Sequence, residues 1–288
     1  MKPKEQVQEK KSLQPKVEAQ PLRVEETRNV IFKPNDGPQT DFLAASEREV
    51  LYGGSAGGGK SYAMLADPLR YMGNPSFSGL LLRHTTEELR ELIYKSQELY
   101  PKIWKGIKWS ERKMQWTAPS GAKLWMSYLD REDDVLRYQG LAFSWIGFDE
   151  LTQWATPFAW NYMRSRLRST DPDLPVFMRA TTNPGGRGHH WVKKMFIDPA
   201  PYNNSFNATD IETGEELKYP SGHEKAGKAL FKRRFIPARL TDNPYLSSSG
   251  DYEAMLLSLP EQQRRQLLDG DWDIKEGAAF TEFDRNIH

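Results

Sequence analysis

The residues from Val50 to Ser61, reading Val-Leu-Tyr-Gly-Gly-Ser-Ala-Gly-Gly-Gly-Lys-Ser, carry the strongest chemical signal in the chain. From Gly54 onward they fit the spacing G-x-x-x-x-G-K-[ST]. Glycines let a backbone curl until its N–H groups point inward at phosphate oxygens, and a following helix adds positive potential at its N-terminus. In that geometry Gly54, Ser55, Ala56, Gly57, Gly58 and Gly59 form the cradle, and Lys60 reaches the β- and γ-phosphates of a nucleoside triphosphate. The Ser61 hydroxyl is then placed to ligate Mg²⁺. A flexible glycine linker is the competing reading. The apolar lead-in Val50-Leu51-Tyr52 and the helix-like Tyr62–Ala66 that leads out speak against it, because together they make strand, loop and helix.

Three further sets of residues could complete such a site. Phe143–Phe148 is strand-like and ends in Asp149-Glu150. Asp149 there would hold the Mg²⁺ shell, and Glu150 would act as general base on the water that attacks the γ-phosphate. Many strands end in acids, so this pair gains its meaning from the phosphate loop. Val176–Thr182 reads as another strand and stops at Asn183-Pro184-Gly185-Gly186. Thr182 and Asn183 can hydrogen-bond the γ-phosphate or its water and report hydrolysis. Gln39, upstream of the loop's strand, carries a donor and an acceptor that match the N6/N7 edge of adenine. From that one residue alone, a surface glutamine near a turn is the simpler reading.

The elements that must position these groups are legible in outline. The 288 residues suffice for one large domain, or a domain with a small appendage. A net charge of +1 gives no whole-chain sign of nucleic-acid binding, so any basic surface must be local. There are no cysteines, which excludes disulfides and thiolate metal sites. The sequence shows neither a membrane-spanning apolar run nor the apolar core of a secretory signal, and reads as soluble.

Residues 1–29, rich in Lys, Glu, Gln and Pro, read as a disordered or weakly helical arm. Residues 30–236 read as the nucleotide-binding core. It opens with a turn at Pro34–Pro38 and a short helix capped by Thr40 or Asp41. A helix runs from Lys60 to about Met72 and is bent by Pro68. Gly79–Arg83 is a buried strand, and Thr85 or Thr86 caps the next helix. Met114–Thr117 and Leu124–Tyr128 form a hairpin. A helix from Pro157 through Ser169 would put Arg164 and Arg168 on one face, either solvated or reaching phosphates. Gly185–His190 reads as a flexible polar loop, and 198–228 as an irregular excursion. A strand over Ala229–Ile236 carries the basic cluster Lys232-Arg233-Arg234. Residues 237–275, with two short helices ending at Gly270, read as a small lid subdomain, and 276–288 as a linker.

Assembled, these motifs resemble the ATPase domain of the large subunit of tailed-bacteriophage terminases, the DNA-packaging motors. Gln39 in Gly-Pro-Gln-Thr-Asp-Phe-Leu matches the family's adenine-reading glutamine. Gly54–Ser61 matches its phosphate loop, Asp149-Glu150 its acidic pair, and Thr181-Thr182-Asn183-Pro184 its coupling motif. Asp242–Leu246, Leu267–Trp272 and Gly277–Phe280 match its later motifs.

The resemblance implies an α/β, RecA-like P-loop NTPase fold of the ASCE class. Its mostly parallel central sheet would be flanked by helices and joined to a small α-helical lid. ATP and Mg²⁺ are the implied cofactors. Double-stranded DNA, the phage portal protein and the small terminase subunit are the implied partners. A homo-oligomeric ring on the portal, a monomer in isolation, no membrane association and the host cytoplasm follow from the same source. The family's C-terminal nuclease is expected beyond His288, and Asp284 is not read as catalytic. The expected function is an ATP-hydrolysing motor translocating double-stranded DNA into a procapsid. A non-viral P-loop helicase or translocase is the alternative, though such proteins usually show a second RecA-like half. A scaffold without turnover is opposed by the intact Lys60, Ser61, Asp149 and Glu150.

One departure stands out. Many terminases carry an arginine four residues before the loop lysine, and this chain has Ala56 there. A cation for the developing γ-phosphate charge is then expected elsewhere, from Arg83, Arg131 or Arg137. Arg137 is favoured, with donation by a neighbouring copy as one route. Lys232–Arg234 and the Arg187 loop are expected to grip DNA through its phosphates.

Overall fold

The first helix, α1 (Pro38–Ala44), begins on a proline, whose fixed φ suits the first helical turn. Thr40 does not cap it; its hydroxyl donates to the Asn35 carbonyl at 2.8 Å. The computed structural model describes residues 30–274. The expected arm (1–29), the linker (276–288), Gly277–Phe280 and Asp284 lie outside the described residues.

Strand β1 (Glu49–Gly54) is buried at every position and runs directly into the phosphate loop. Helix α2 (Lys60–Ala66) starts on the loop lysine. Pro68 turns the next stretch into a 3₁₀ segment over Asp67–Tyr71, because proline lacks an amide donor and crowds the preceding turn. Strand β2 (Ser78–Arg83) follows, then α3 (Thr86–Ile103). Thr85 and Glu88 form a capping box at its start, and Leu89, Leu92, Ile93 and Leu99 are buried at helical spacing.

The expected hairpin is β4 (Gln115–Thr117) with β5 (Lys123–Tyr128), extended by an unforeseen strand, β3 (Lys108–Ser110). The acidic strand is β6 (Trp145–Phe148), and the Asn183 strand is β7 (Phe177–Thr182). Between them lies α4 (Phe158–Arg164), five residues shorter at its C-terminus than expected through Ser169. Past Arg164 the chain pairs with Phe143 instead: Phe143 donates to Arg166 O at 3.0 Å, and Arg168 donates to Phe143 O at 2.9 Å. Burial of Leu167 in the core outweighs helix propensity there.

After β7 come α5 (His189–Val192), β8 (Ser205–Asn207) and β9 (Lys232–Ala238). Pro237 is tolerated inside β9 because β8 pairs only with Lys232–Arg234 and leaves that part of the edge open. Three short helices close the described chain: α6 (Pro244–Ser247), α7 (Asp251–Leu257) and α8 (Glu261–Arg264).

The strands form one sheet in the order β3-β4-β5-β2-β6-β7-β1-β9-β8. The central six, β5-β2-β6-β7-β1-β9, are mutually parallel, and the antiparallel strands lie at the two edges. One face packs through Leu51, Ile146, Phe148 and Met178 against Trp160 and Met163 of α4 and Val192 of α5. The other packs through Leu81, Leu124 and Trp145 against Met64 and Leu65 of α2 and Leu92 of α3. Covered on both faces, the parallel strands carry the apolar runs seen in the sequence. The phosphate-loop strand β1 and the acidic strand β6 are separated by one inserted strand, β7. Their C-terminal ends therefore open side by side on one edge of the sheet, where ligands of open α/β sheets bind.

The arginines expected to face phosphates do something else. Arg233 is buried and donates to Glu49 at 2.7 Å, while Arg164 pairs with the same carboxylate. Neither guanidinium is free for a DNA phosphate. Burial alone would raise the Glu49 carboxyl, but Arg164 and Arg233 overcome it and hold its pKa below the usual 4.5. A carboxylate depressed in the fold contributes stability at neutral pH and loses it as the pH falls through its folded value. Glu49→Gln is expected to lower unfolding free energy by about 3–5 kcal/mol at pH 7, by stranding the buried Arg233 and the half-buried Arg164. Urea unfolding at pH 7 and in acid checks this: the gap from wild type closes at low pH.

Candidate functional site

The phosphate loop, Glu150 and Asn183 meet in a cleft of about 610 Å³ at the C-terminal edge of the sheet. Its walls include Gln39, Ala56, Gly57, Gly58, Gly59, Lys60, Ser61, Glu150 and Asn183. Gly57 and Gly59 sit at φ 77 and 78, in the left-handed region that only glycine enters without strain. A Cβ on Gly59 would also meet the Gln39 amide nitrogen at 2.8 Å.

Lys60 is buried and donates to Ser55 O at 2.6 Å and to Asn183 Oδ1 at 2.7 Å. Burial pushes its pKa down, partly offset by the Glu150 and Asp149 carboxylates. Glu150, two residues past the end of β6, accepts from the Asn183 backbone amide at 3.3 Å. Burial raises its carboxyl above the usual 4.5, against the pull of Lys60; the Asp149 charge adds to the rise. Asn183 thus touches Lys60 through its side chain and Glu150 through its backbone. Glu150 also holds φ 60 and ψ 59, a left-handed conformation that costs a non-glycine residue about 1–2 kcal/mol. Such strain concentrates at functional sites.

Asp149 lies one layer deeper. Its carboxylate accepts from the Thr181 hydroxyl and from Arg83 Nη1, the latter at 2.7 Å. Thr182 is not on the cleft wall: its hydroxyl lies 2.7 Å from that of Thr152, and accepts from the Thr152 amide at 3.2 Å. Its expected contact with the γ-phosphate is replaced by a link between β7 and the turn after Glu150. Gln39 does line the cleft, but both ends of its amide meet protein. Oε1 accepts from Asn35 N at 2.6 Å, and Nε2 donates to Gly59 O at 2.9 Å.

Of the three candidate arginines, Arg83 contacts the acidic pair through Asp149. Arg131 is exposed at the N-cap of a 3₁₀ segment (Glu132–Tyr138) preceding β6. Arg137 lies on that segment, donates to Tyr128 O at 2.8 Å and stacks near Tyr128 and Tyr138. It lines a separate cavity of about 220 Å³ with Arg112 and Lys113, so the fold does not bring it to its own chain's phosphate loop.

The expected flexible loop at Gly185–His190 is instead a built corner. Gly188 donates to Thr152 O at 2.7 Å, and Gly185 donates to His189 Nδ1 at 2.8 Å. His189 stacks on Trp272, with ring centroids 5.3 Å apart. Of the expected DNA-gripping cluster, Arg234 bonds Asn203 and only Lys232 is exposed; Arg187 is exposed on the loop. Residues that sequence reasoning did not assign also reach the cleft. Asn35 and Asn243 line it, and Tyr52 lies beneath the loop with its hydroxyl on Gly58 O at 2.7 Å. No periodicity marks these contacts, and that of Asn243 joins segments 186 residues apart.

A phosphate loop on one parallel strand, with an acidic pair two strands away and a polar residue ending the strand between, defines a P-loop NTPase of RecA-like fold. The chain belongs to the family described as terminase large subunit, T4likevirus-type, N-terminal, whose model matches residues 51–287. It matches no curated protein. Among solved structures it is similar to the large terminase of a thermophilic bacteriophage, with TM-score 0.61 and 17% identity over 89% of this chain and 58% of that one. The chain thus spans under two thirds of that terminase. The same terminase bound to ATP-γ-S matches with TM-score 0.56 and 15% identity, over 83% of this chain and 53% of that one. The large terminase ATPase domain of Thermus phage P74-26 matches with TM-score 0.53 and 12% identity, over 84% of this chain and 94% of that one. At these identities the likeness is one of fold.

Proposed function

We propose that this chain is the ATP-hydrolysing motor domain of a viral terminase large subunit, driving double-stranded DNA into a procapsid. The observation that carries the reading is the joining of Lys60, Asn183 and Glu150 in one cleft against a glycine phosphate loop. Lys60 would bind the β- and γ-phosphates, and Glu150 would take the proton of the attacking water. Asn183, touching both, is placed to pass the change in phosphate occupancy to β7. Gln39 would turn to adenine only by releasing Asn35 and Gly59.

Mg²⁺ fits the oxygen donors present. The Ser61 hydroxyl and the Asp149 carboxylate would hold it, and the carboxylate keeps lone pairs beyond those taken by Thr181 and Arg83. When bound, the ion would neutralise charge on the phosphate oxygens. The small helices α6–α8 would serve as the lid. The implied partners are DNA, gripped through its phosphates with Arg187 as one contact, the portal protein and the small terminase subunit, in the host cytoplasm. No helix among the described residues is long and apolar enough to cross a membrane. The non-viral translocase alternative has no observation in its favour.

Exposure of Arg137 away from its own cleft supports its use by a neighbouring copy in a ring. The test is phosphate release from Mg-ATP. The wild-type chain should hydrolyse ATP, and no release under assembling conditions would overturn the reading. In the same assay a mixture of Arg137→Ala and Glu150→Gln subunits should recover activity that neither has alone. Absence of recovery, with both assembling normally, removes Arg137 from the trans role.

A further inference from the structure

The phosphate loop is held by three side chains, one on each of three successive glycine carbonyls. Asn243 Nδ2 donates to Gly57 O at 2.6 Å, Tyr52 Oη to Gly58 O at 2.7 Å, and Gln39 Nε2 to Gly59 O at 2.9 Å. The donors come from three places: the turn before α6, the strand β1 and the first turn of α1.

The consequence follows from the peptide unit itself. A trans peptide is planar, and its C=O and the next N–H point in opposite directions. Fixing the carbonyls of Gly57, Gly58 and Gly59 therefore also fixes the directions of the amides of Gly58, Gly59 and Lys60, the loop's phosphate-facing donors in the nucleotide-binding reading. The loop's earlier amides are engaged elsewhere: Ser55 donates to Ala238 O at 2.8 Å and Ala56 to Leu267 O at 2.6 Å. Those two bonds anchor the loop's shoulder, and the three side chains set its rim.

We propose that Asn243 and Tyr52, together with Gln39, are positioning residues that preorganise the phosphate loop, and that Asn243 ties its conformation to the turn leading into α6. Asn243 is suited to both tasks, since its Oδ1 accepts from Tyr245 N at 3.3 Å as the helix N-cap while its Nδ2 holds Gly57. Its Oδ1 also lies 3.5 Å from Asn35 Nδ2, which brings the Gln39 turn into the same network. This inference rests on the nucleotide-binding reading of the cleft.

Two variants separate positioning from mere folding. Asn243→Ser keeps a neutral N-cap oxygen, but its hydroxyl is too short to hold Gly57 O as well. Tyr52→Phe deletes a single oxygen inside the core. Each should weaken ADP binding, measured by calorimetry with Mg²⁺, by about tenfold (about 1.4 kcal/mol), with kcat at saturating ATP changed far less than KM. The double variant should lose more than either. A purely structural role predicts a lower melting temperature with an unchanged dissociation constant, and ADP affinity within twofold of wild type in both folded variants would overturn the proposal. If Asn243→Ser fails to fold, Tyr52→Phe decides alone. Wild-type protein that binds no ADP would instead overturn the nucleotide-binding reading.

Discussion

Lys60→Ala should abolish turnover and lower nucleotide affinity by about a hundredfold, the loss expected of two charge-assisted hydrogen bonds to phosphate oxygens. The Lys60 ammonium is held over the loop by Ser55 O and Asn183 Oδ1, the geometry of a cation offered to a ligand. The sign of the stability effect differs from that of an ordinary buried ion pair. Burial depresses the Lys60 pKa, so at neutral pH the folded state carries a charge it disfavours. Removing the cation therefore relieves one strain while leaving Glu150 without its partner. The melting temperature without nucleotide should change little, and the stabilisation by added ADP should disappear. Thermal melts with and without ADP, beside phosphate release, measure both. Wild-type turnover in this variant would sink the site assignment.

Glu150→Gln should leave nucleotide binding within about threefold of wild type and cut turnover by about two to four orders of magnitude, the range of a lost general base. Glutamine keeps the shape and can still accept from the Asn183 amide. What it lacks is the ability to take a proton. The raised Glu150 pKa adds a second signature. A base must be ionised to act, so kcat/KM in the wild type should fall on the acid side of a limb lying above the usual 4.5. That limb should be absent from the residual rate of the glutamine variant. Unchanged turnover would move the base elsewhere, and a limb at an ordinary carboxylate pKa would show that the buried environment does not persist in the working enzyme.

The motifs and the elements that carry them were legible because they are local. A glycine loop between an apolar run and a helix start specifies its own geometry through backbone freedom and helix polarity. The pair Thr85-Thr86, Pro68 and the run Gly79–Arg83 declared a cap, a bend and a buried strand for the same reason, and the structure chose Thr85 as the cap. Residues whose roles depend on distant partners were misread. Arg164, read as solvated or reaching phosphates, and Arg233, read as a DNA contact, instead pair with one buried carboxylate, since a charge in sequence gives no hint of a partner beyond its own element. Glu49, which neutralises both, is 115 residues from the first and 184 from the second.

The sequence by itself determined that this chain handles a nucleoside triphosphate: Gly54–Ser61 and Asp149-Glu150 carry the chemistry in their types and spacing. Only the tertiary structure decided how that chemistry is held. It set β7 between the two active strands, so that Asn183 touches both Lys60 and Glu150. It carried Arg137 to another cavity, and it brought Asn243 across 186 residues to the Gly57 carbonyl. The physical reason is common to all three. Hydrogen bonds and ion pairs act over a few ångströms, and which groups come that close depends on strand order and packing, not on neighbours along the chain.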